Sequence, residues 1–232
     1  MTGVQTCALP IFEVCATALN PKLEVLAPVR DWHFSREAEM DYAVKHGIPV
    51  KATASSPYSI DENLWGRSIE CGMLEDPWNE PPEDAYELTA NPLDAPNEPD
   101  FVEITFERGL PVALNGERMD GVSLILKLNE LAGKHGVGRV DMVEDRLVGF
   151  KSREVYECPG PITLLNAHRA LETMTLDKRV LITKRELEVR FAELTYEGYW
   201  FSPLRDCIGA FIDETQDRKS TRLNSSHARL SR

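Results

Sequence analysis

The sequence predicts an α+β protein in two parts, the tail of a parallel α/β unit followed by an antiparallel sheet with helices beside it. Three observations predict this. The run from "LEVLAPVRDW" to "IPVKA" reads strand–helix–strand over ~30 residues, the grammar of a parallel unit. "FVEITFERGLPVALNGERM" alternates apolar and polar residues and carries Asn115-Gly116, a type I′ hairpin signal. Later segments with helical period are set apart from the strands. A chain of 232 residues, 42% of them hydrophobic, is long enough for one or two domains with a real core.

Taken in order, Leu23 to Ala27 reads as a short buried strand ended by Pro28. "SREAEMDYAVKHG" follows as a helix, with Ser35 as N-cap and Gly47 just past its end. "IPVKA" resumes an extended segment. Residues 52–100 hold seven prolines among acids, which argues against a central strand or a long helix. Tyr58, Leu64, Trp65 and Ile69 are nevertheless too apolar for a linker, so an ordered excursion is expected. A meander over 101–119 comes next, then a helix capped by Asp120 with Val122, Ile125, Leu128, Leu131 and Ala132 on one face. Two strands follow, turning near Asp145. Three helices complete the pattern: one opened by Pro161, one over "RVLITKRELEVRFAELTYEGYWF", and one opened by Pro203.

The net charge of −12 makes a nucleic-acid backbone an unfavourable partner. No run approaches the ~20 apolar residues of a membrane helix. The five cysteines, Cys7, Cys15, Cys71, Cys158 and Cys207, form no C-x-x-C pair and read as free thiols of a reducing cytosol. No signal-peptide pattern opens the chain. Residues 1–11 and 217–232 show neither helix nor strand period. The second resembles the translation of a sequencing-adapter oligonucleotide, and the first that of its complement. Both are therefore expected to lie outside the fold. The remaining 205 residues, 12–216, hold 21 basic and 37 acidic side chains, a net charge of −16.

Chemical motifs are few. "HGVGR" matches no phosphate-loop pattern and follows a helix, so it reads as a helix end and turn. No G-x-S-x-G elbow is present, and His33, His46, His135 and His168 are scattered. "EDPWNEPPED" lacks calcium-loop spacing and reads as a solvated acidic face. "VEDRLVGFKSREVYE" remains. On a strand, Glu144 shares a face with Val140 and Met142, which points to a carboxylate at a strand end near a cavity. Such a group holds an ammonium or an arginine; an ion pair to Arg146 or Arg153 competes with a binding role. Glu144 and Asp145 cannot flank one bond as a hydrolytic acid pair, because strand neighbours point to opposite faces.

Four blocks, "PYSIDENLWGRSIECGMLEDPWNEPPEDAY", "VALNG", "LAGKHGVGRVDMVEDRLVGFKSREVYE" and "LLNAHRALETMTLD", together resemble the argininosuccinate synthase family. The resemblance runs in order over essentially all of 12–216. It implies a cytoplasmic ATP-dependent ligase of citrulline and aspartate, a homotetramer at full length, with magnesium expected alongside ATP. It implies that 12–51 is the end of an α/β nucleotide-binding domain and 52–216 a truncated synthetase domain. It also implies that Ser59, Ser68, Glu144 and Tyr156 contact citrulline. No catalytic or metal-ligating residue is expected here, since the family's Ser-Gly-Gly-rich phosphate turn has no counterpart in the sequence. The chain alone is accordingly expected to be inactive and poorly soluble. The alternative is a non-catalytic binding or scaffold module of the same fold.

Overall fold

The computed structural model describes residues 3–49, 58–147, 149, 151–217 and 225–229. Three helices come first: α1 (Gly3–Leu19), the single turn α2 (Pro28–Trp32) and α3 (Arg36–His46). Ser35 caps α3 by accepting from the Ala38 amide, and Gly47 ends it at φ 63°, a left-handed conformation that costs glycine nothing. No parallel strand pair occurs among the described residues. Residues 23–27 are irregular, which corrects the buried-strand reading. Ala27 is buried, but Leu23 and Leu26 are exposed. A strand needs a partner for its backbone groups, and none lies beside this segment among the described residues. Residues 50–52 of the expected second strand, and 52–57 of the proline-rich stretch, lie outside the described residues.

One sheet joins β1 (Ser59–Asn63), β2 (Gly66–Glu70), β6 (Arg139–Asp145) and β7 (Lys151–Glu157) in the antiparallel order β1-β2-β7-β6. The expectation of no central strand in 52–100 therefore fails at β2. The prolines described there all lie from Pro77 onward, beyond the β1–β2 hairpin. Gly66 opens β2 at φ 136°, where a Cβ would collide with the Glu157 carbonyl. The second sheet runs β5-β4-β3-β8, with β3 (Phe101–Glu107), β4 (Leu110–Leu114), β5 (Glu117–Arg118) and β8 (Ser225–Arg229). Asn115 and Gly116 have φ 50° and 81°, the two positive angles that a type I′ turn demands.

Helices α4 (Gly121–Lys134), α5 (Pro159–Thr175), α6 (Lys178–Tyr196) and α7 (Pro203–Asp217) complete the order. Val102, Ile104 and Phe106 alternate inward and pack on Leu124, Leu128, Leu164 and Leu171 of α4 and α5. The face of α4 differs in detail from expectation: Leu124 is fully buried and Val122 is exposed. A side chain in the first turn of a helix overhangs its open end, so the 3.6-residue period overestimates its burial. Asp120 caps α4 through the Val122 and Ser123 amides. Asn129 of α4 accepts from the Gly160 amide at 2.8 Å and so helps satisfy the start of α5, which opens at Pro159 rather than Pro161.

Parts of both ends carry regular structure. Residues 3–11 continue the helix of 12–19, and 225–229 pair antiparallel with β3. Extending an existing helix avoids the cost of nucleation, and the exposed edge of β3 offers unpaired backbone groups to any extended chain.

Candidate binding cleft

The first sheet has two unlike faces. Cross-strand partners share a face, so the register fixes who meets whom. Ile69 opposite Val155 starts the buried face, which packs on Leu74 and Ala85. Behind it, Glu157 is fully buried. Its Oε1 accepts from the Leu88 and Thr89 amides and the Thr89 hydroxyl at 2.7–2.9 Å, and its Oε2 pairs with Arg67 Nη1 at 2.9 Å. This carboxylate pins the chain at 87–89 to the sheet.

The other face is polar. Ser68 stands opposite both Asp61 and Tyr156, Tyr156 opposite Val140, and Glu144 opposite Ser152. Ser59 stands opposite Glu70 on the same face. A cleft of about 460 Å³ opens here, lined by Asp61, Trp65, Ser68, Met142, Glu144 and Tyr156, with Cys158 and Pro161 from the start of α5. Of the four residues singled out by resemblance, three line this cleft. Ser59 shares their face but stands outside the lining.

The Tyr156 hydroxyl donates to Glu144 Oε1. Burial first, and then the adjacent Glu144 carboxylate, raises the phenol above its ordinary pKa, so it remains a donor at any physiological pH. Glu144 Oε2 is buried and, among the described residues, accepts no hydrogen bond. Arg146 Nη1 lies 3.7 Å from it. Arg146 is engaged elsewhere: its Nη2 holds Glu70 Oε2 and, at 2.7 Å, Glu154 Oε1. Arg153, the other suggested partner, pairs with Asp141 instead. Glu154 takes a hydrogen bond from Ser152 at 2.8 Å. Desolvation, reinforced by Glu70 and Glu144 and opposed by Ser152 and Arg146, raises its pKa to about 7.

Sequence reading missed Glu70 and Glu154, and named Arg146 only as an ion-pair partner of Glu144 in competition with Arg153. The alternation of "KSREVYE" places Ser152, Glu154 and Tyr156 together, so Glu154 was within reach of the face argument. Arg146 lies in a turn, where no periodicity applies, and Glu70 enters only through the β1–β2–β7 register. Of the histidines singled out above, His135 is buried against Asp100 at 2.8 Å and His168 contacts Gln216 at 3.1 Å, both away from the cleft. Among the described residues no group of three or more His, Cys, Asp or Glu has a metal-holding arrangement, and no helix is long and apolar enough to cross a membrane. Cys15, Cys71, Cys158 and Cys207 are free thiols.

The fold and cleft thus define an α+β domain with a hollow that sets the Ser68 and Tyr156 hydroxyls, the Asp61 and Glu144 carboxylates and Arg67 among apolar side chains. Comparison with known proteins is specific. Residues 58–224 match the family described as Arginosuccinate synthase C-terminal domain, and 10–49 match Arginosuccinate synthase N-terminal HUP domain. The argininosuccinate synthase of Geobacillus kaustophilus is 61% identical over 205 residues, covering 88% of this chain and 50% of that protein. That of Rubrobacter xylanophilus is 60% identical with the same coverage, and that of Symbiobacterium thermophilum 59% over 206 residues, 89% and 51%. The chain belongs to the argininosuccinate synthase family. It spans about half the length of the curated relatives it matches.

Proposed function

We propose that this chain carries part of the citrulline site of an ATP-dependent carbon–nitrogen ligase that makes argininosuccinate. In that reaction the ureido oxygen of citrulline attacks ATP, giving citrullyl-adenylate and pyrophosphate. The amine of aspartate then displaces AMP. The parent enzyme is proposed to be cytoplasmic and homotetrameric, with residues 12–51 the end of its nucleotide-binding domain and 52–216 its synthetase domain. Residues 1–11 and 217–232 are proposed to be translated adapter.

One observation carries the reading of the cleft. Glu144 Oε2 is a buried acceptor with no hydrogen bond, beside a 460 Å³ hollow. Leaving such an atom bare costs about 1–3 kcal/mol, more for a charged group. The α-ammonium of citrulline supplies the missing donors. Ser68 and Ser59 donate to the α-carboxylate, and Tyr156 fixes the Glu144 carboxylate through its other oxygen. In this reading the chain's own residues bind and orient citrulline. In the parent enzyme ATP would supply the adenylyl group, and magnesium would neutralise its phosphate charge.

Calorimetric titration of the chain with citrulline tests the proposal. Binding that Glu144→Gln weakens about 10- to 100-fold, the worth of one charge-assisted hydrogen bond, is the expected result. An unchanged affinity in the variant would remove the ammonium assignment.

A further inference from the structure

From the Glu70–Arg146–Glu154 cluster we infer that Arg146, clamped between Glu70 and Glu154, is a positioning residue that holds its charge beside Glu144 without hydrogen-bonding it. The inference rests on the reading of the cleft as an amino-acid site. Three carboxylates, Glu70, Glu144 and Glu154, converge on the single guanidinium of Arg146, whose side chain is 8% exposed. A cation among crowded carboxylates offsets their mutual repulsion. A guanidinium free to turn would pair with Glu144 in the two-pronged geometry that arginine prefers. It would then occupy the oxygen that an ammonium needs.

The clamp prevents this. Glu70, on the central strand β2, and Glu154, on β7, both hold Nη2. Glu154 is itself fixed by Ser152. Nη1 is left 3.7 Å from Glu144 Oε2, close enough for its charge to act and too far for a hydrogen bond. On its other side, Glu144 is steadied by Tyr156. The guanidinium thus lends charge without filling the site.

The test compares two probes on this chain: citrulline, and 5-ureidopentanoate, which lacks only the α-amine. Glu70→Gln keeps the shape and removes one side of the clamp. It is expected to weaken citrulline about ten-fold or more while changing 5-ureidopentanoate less than about two-fold, since the lost interaction is read only through Glu144. Arg146→Lys, which replaces the planar fork with a point charge, is expected to give the same split. It also decides the matter should Glu70→Gln lack native circular dichroism. A merely structural role would weaken both probes alike, and that result, or no change for either, overturns the inference. Absence of citrulline binding by the unaltered chain would overturn the reading of the cleft, and the clamp's function with it.

Discussion

Glu154 is 1% exposed and lies beside two other acids, so its proton is held to about pH 7 rather than lost near the ordinary 4.5. A carboxyl whose folded pKa is raised binds its proton more tightly folded than unfolded. Its contribution therefore favours the fold at low pH and fades as pH rises from about 4.5 to about 7. Asp100, Asp120 and Asp141 have lowered values and act in the opposite sense, but below that window. Urea midpoints between pH 5 and 8 are expected to fall more steeply for the unaltered chain than for Glu154→Gln, by at most about 1.4 kcal/mol per pH unit for one proton. Parallel curves would contradict the assignment. The groups facing Glu154 are Glu70, Glu144, Arg146, Ser152 and Tyr156, and none but Glu154 is altered in the comparison. Glu144 and Tyr156 were legible in the sequence through resemblance, and the face of Glu144 through strand alternation. The partner of Glu144 was not: two arginines competed on spacing, and only the turn after β6 decided that Arg146 approaches it while Arg153 crosses to Asp141.

At the scale of elements, β7 is held by what its inward face buries. Val155 enters an apolar cluster, and Glu157 is saturated by backbone amides and Arg67. Glu157→Gln would turn an acceptor into a donor facing other donors and would leave Arg67, which is 4% exposed, to its solvent-facing partners Glu87 and Glu62. A loss of about 3–5 kcal/mol is expected, read as a lower thermal midpoint; an unshifted midpoint would show that the loop at 87–89 is held otherwise. Leu128→Ala, at the fully buried centre of α4, is expected to cost about 2–5 kcal/mol. The helices α3 and α4 and the Asn115-Gly116 hairpin were readable because capping and turn chemistry are local. The strand expected at 23–27 was misread because an apolar run is compatible with a strand but does not supply its neighbours. The central place of β2 was missed because proline density was averaged over a segment whose first part, 58–70, has none.

Across the whole molecule, large apolar side chains remain uncovered, Phe12, Leu26 and Val44 among them at 70%, 72% and 78% exposure. Such surface favours association, so size exclusion is expected to show concentration-dependent oligomers or aggregates; a sharp monomer peak would argue otherwise. Chemistry that joins two substrates needs both held together, and the chain is expected to release no AMP with citrulline, aspartate and ATP. Removing 217–232 takes away β8, which belongs to the second sheet, so citrulline binding is expected to persist with little change in affinity. The sequence by itself determined the family, the α+β class and most helix and hairpin positions, because caps, turns and periodicity act over a few residues. Only the tertiary structure decided that Glu70, Glu144 and Glu154 share one guanidinium and that, among the described residues, Glu144 Oε2 is a buried carboxylate oxygen without a hydrogen bond. Charges from separate strands and a turn meet through register, and a one-residue shift would have sent them to opposite faces.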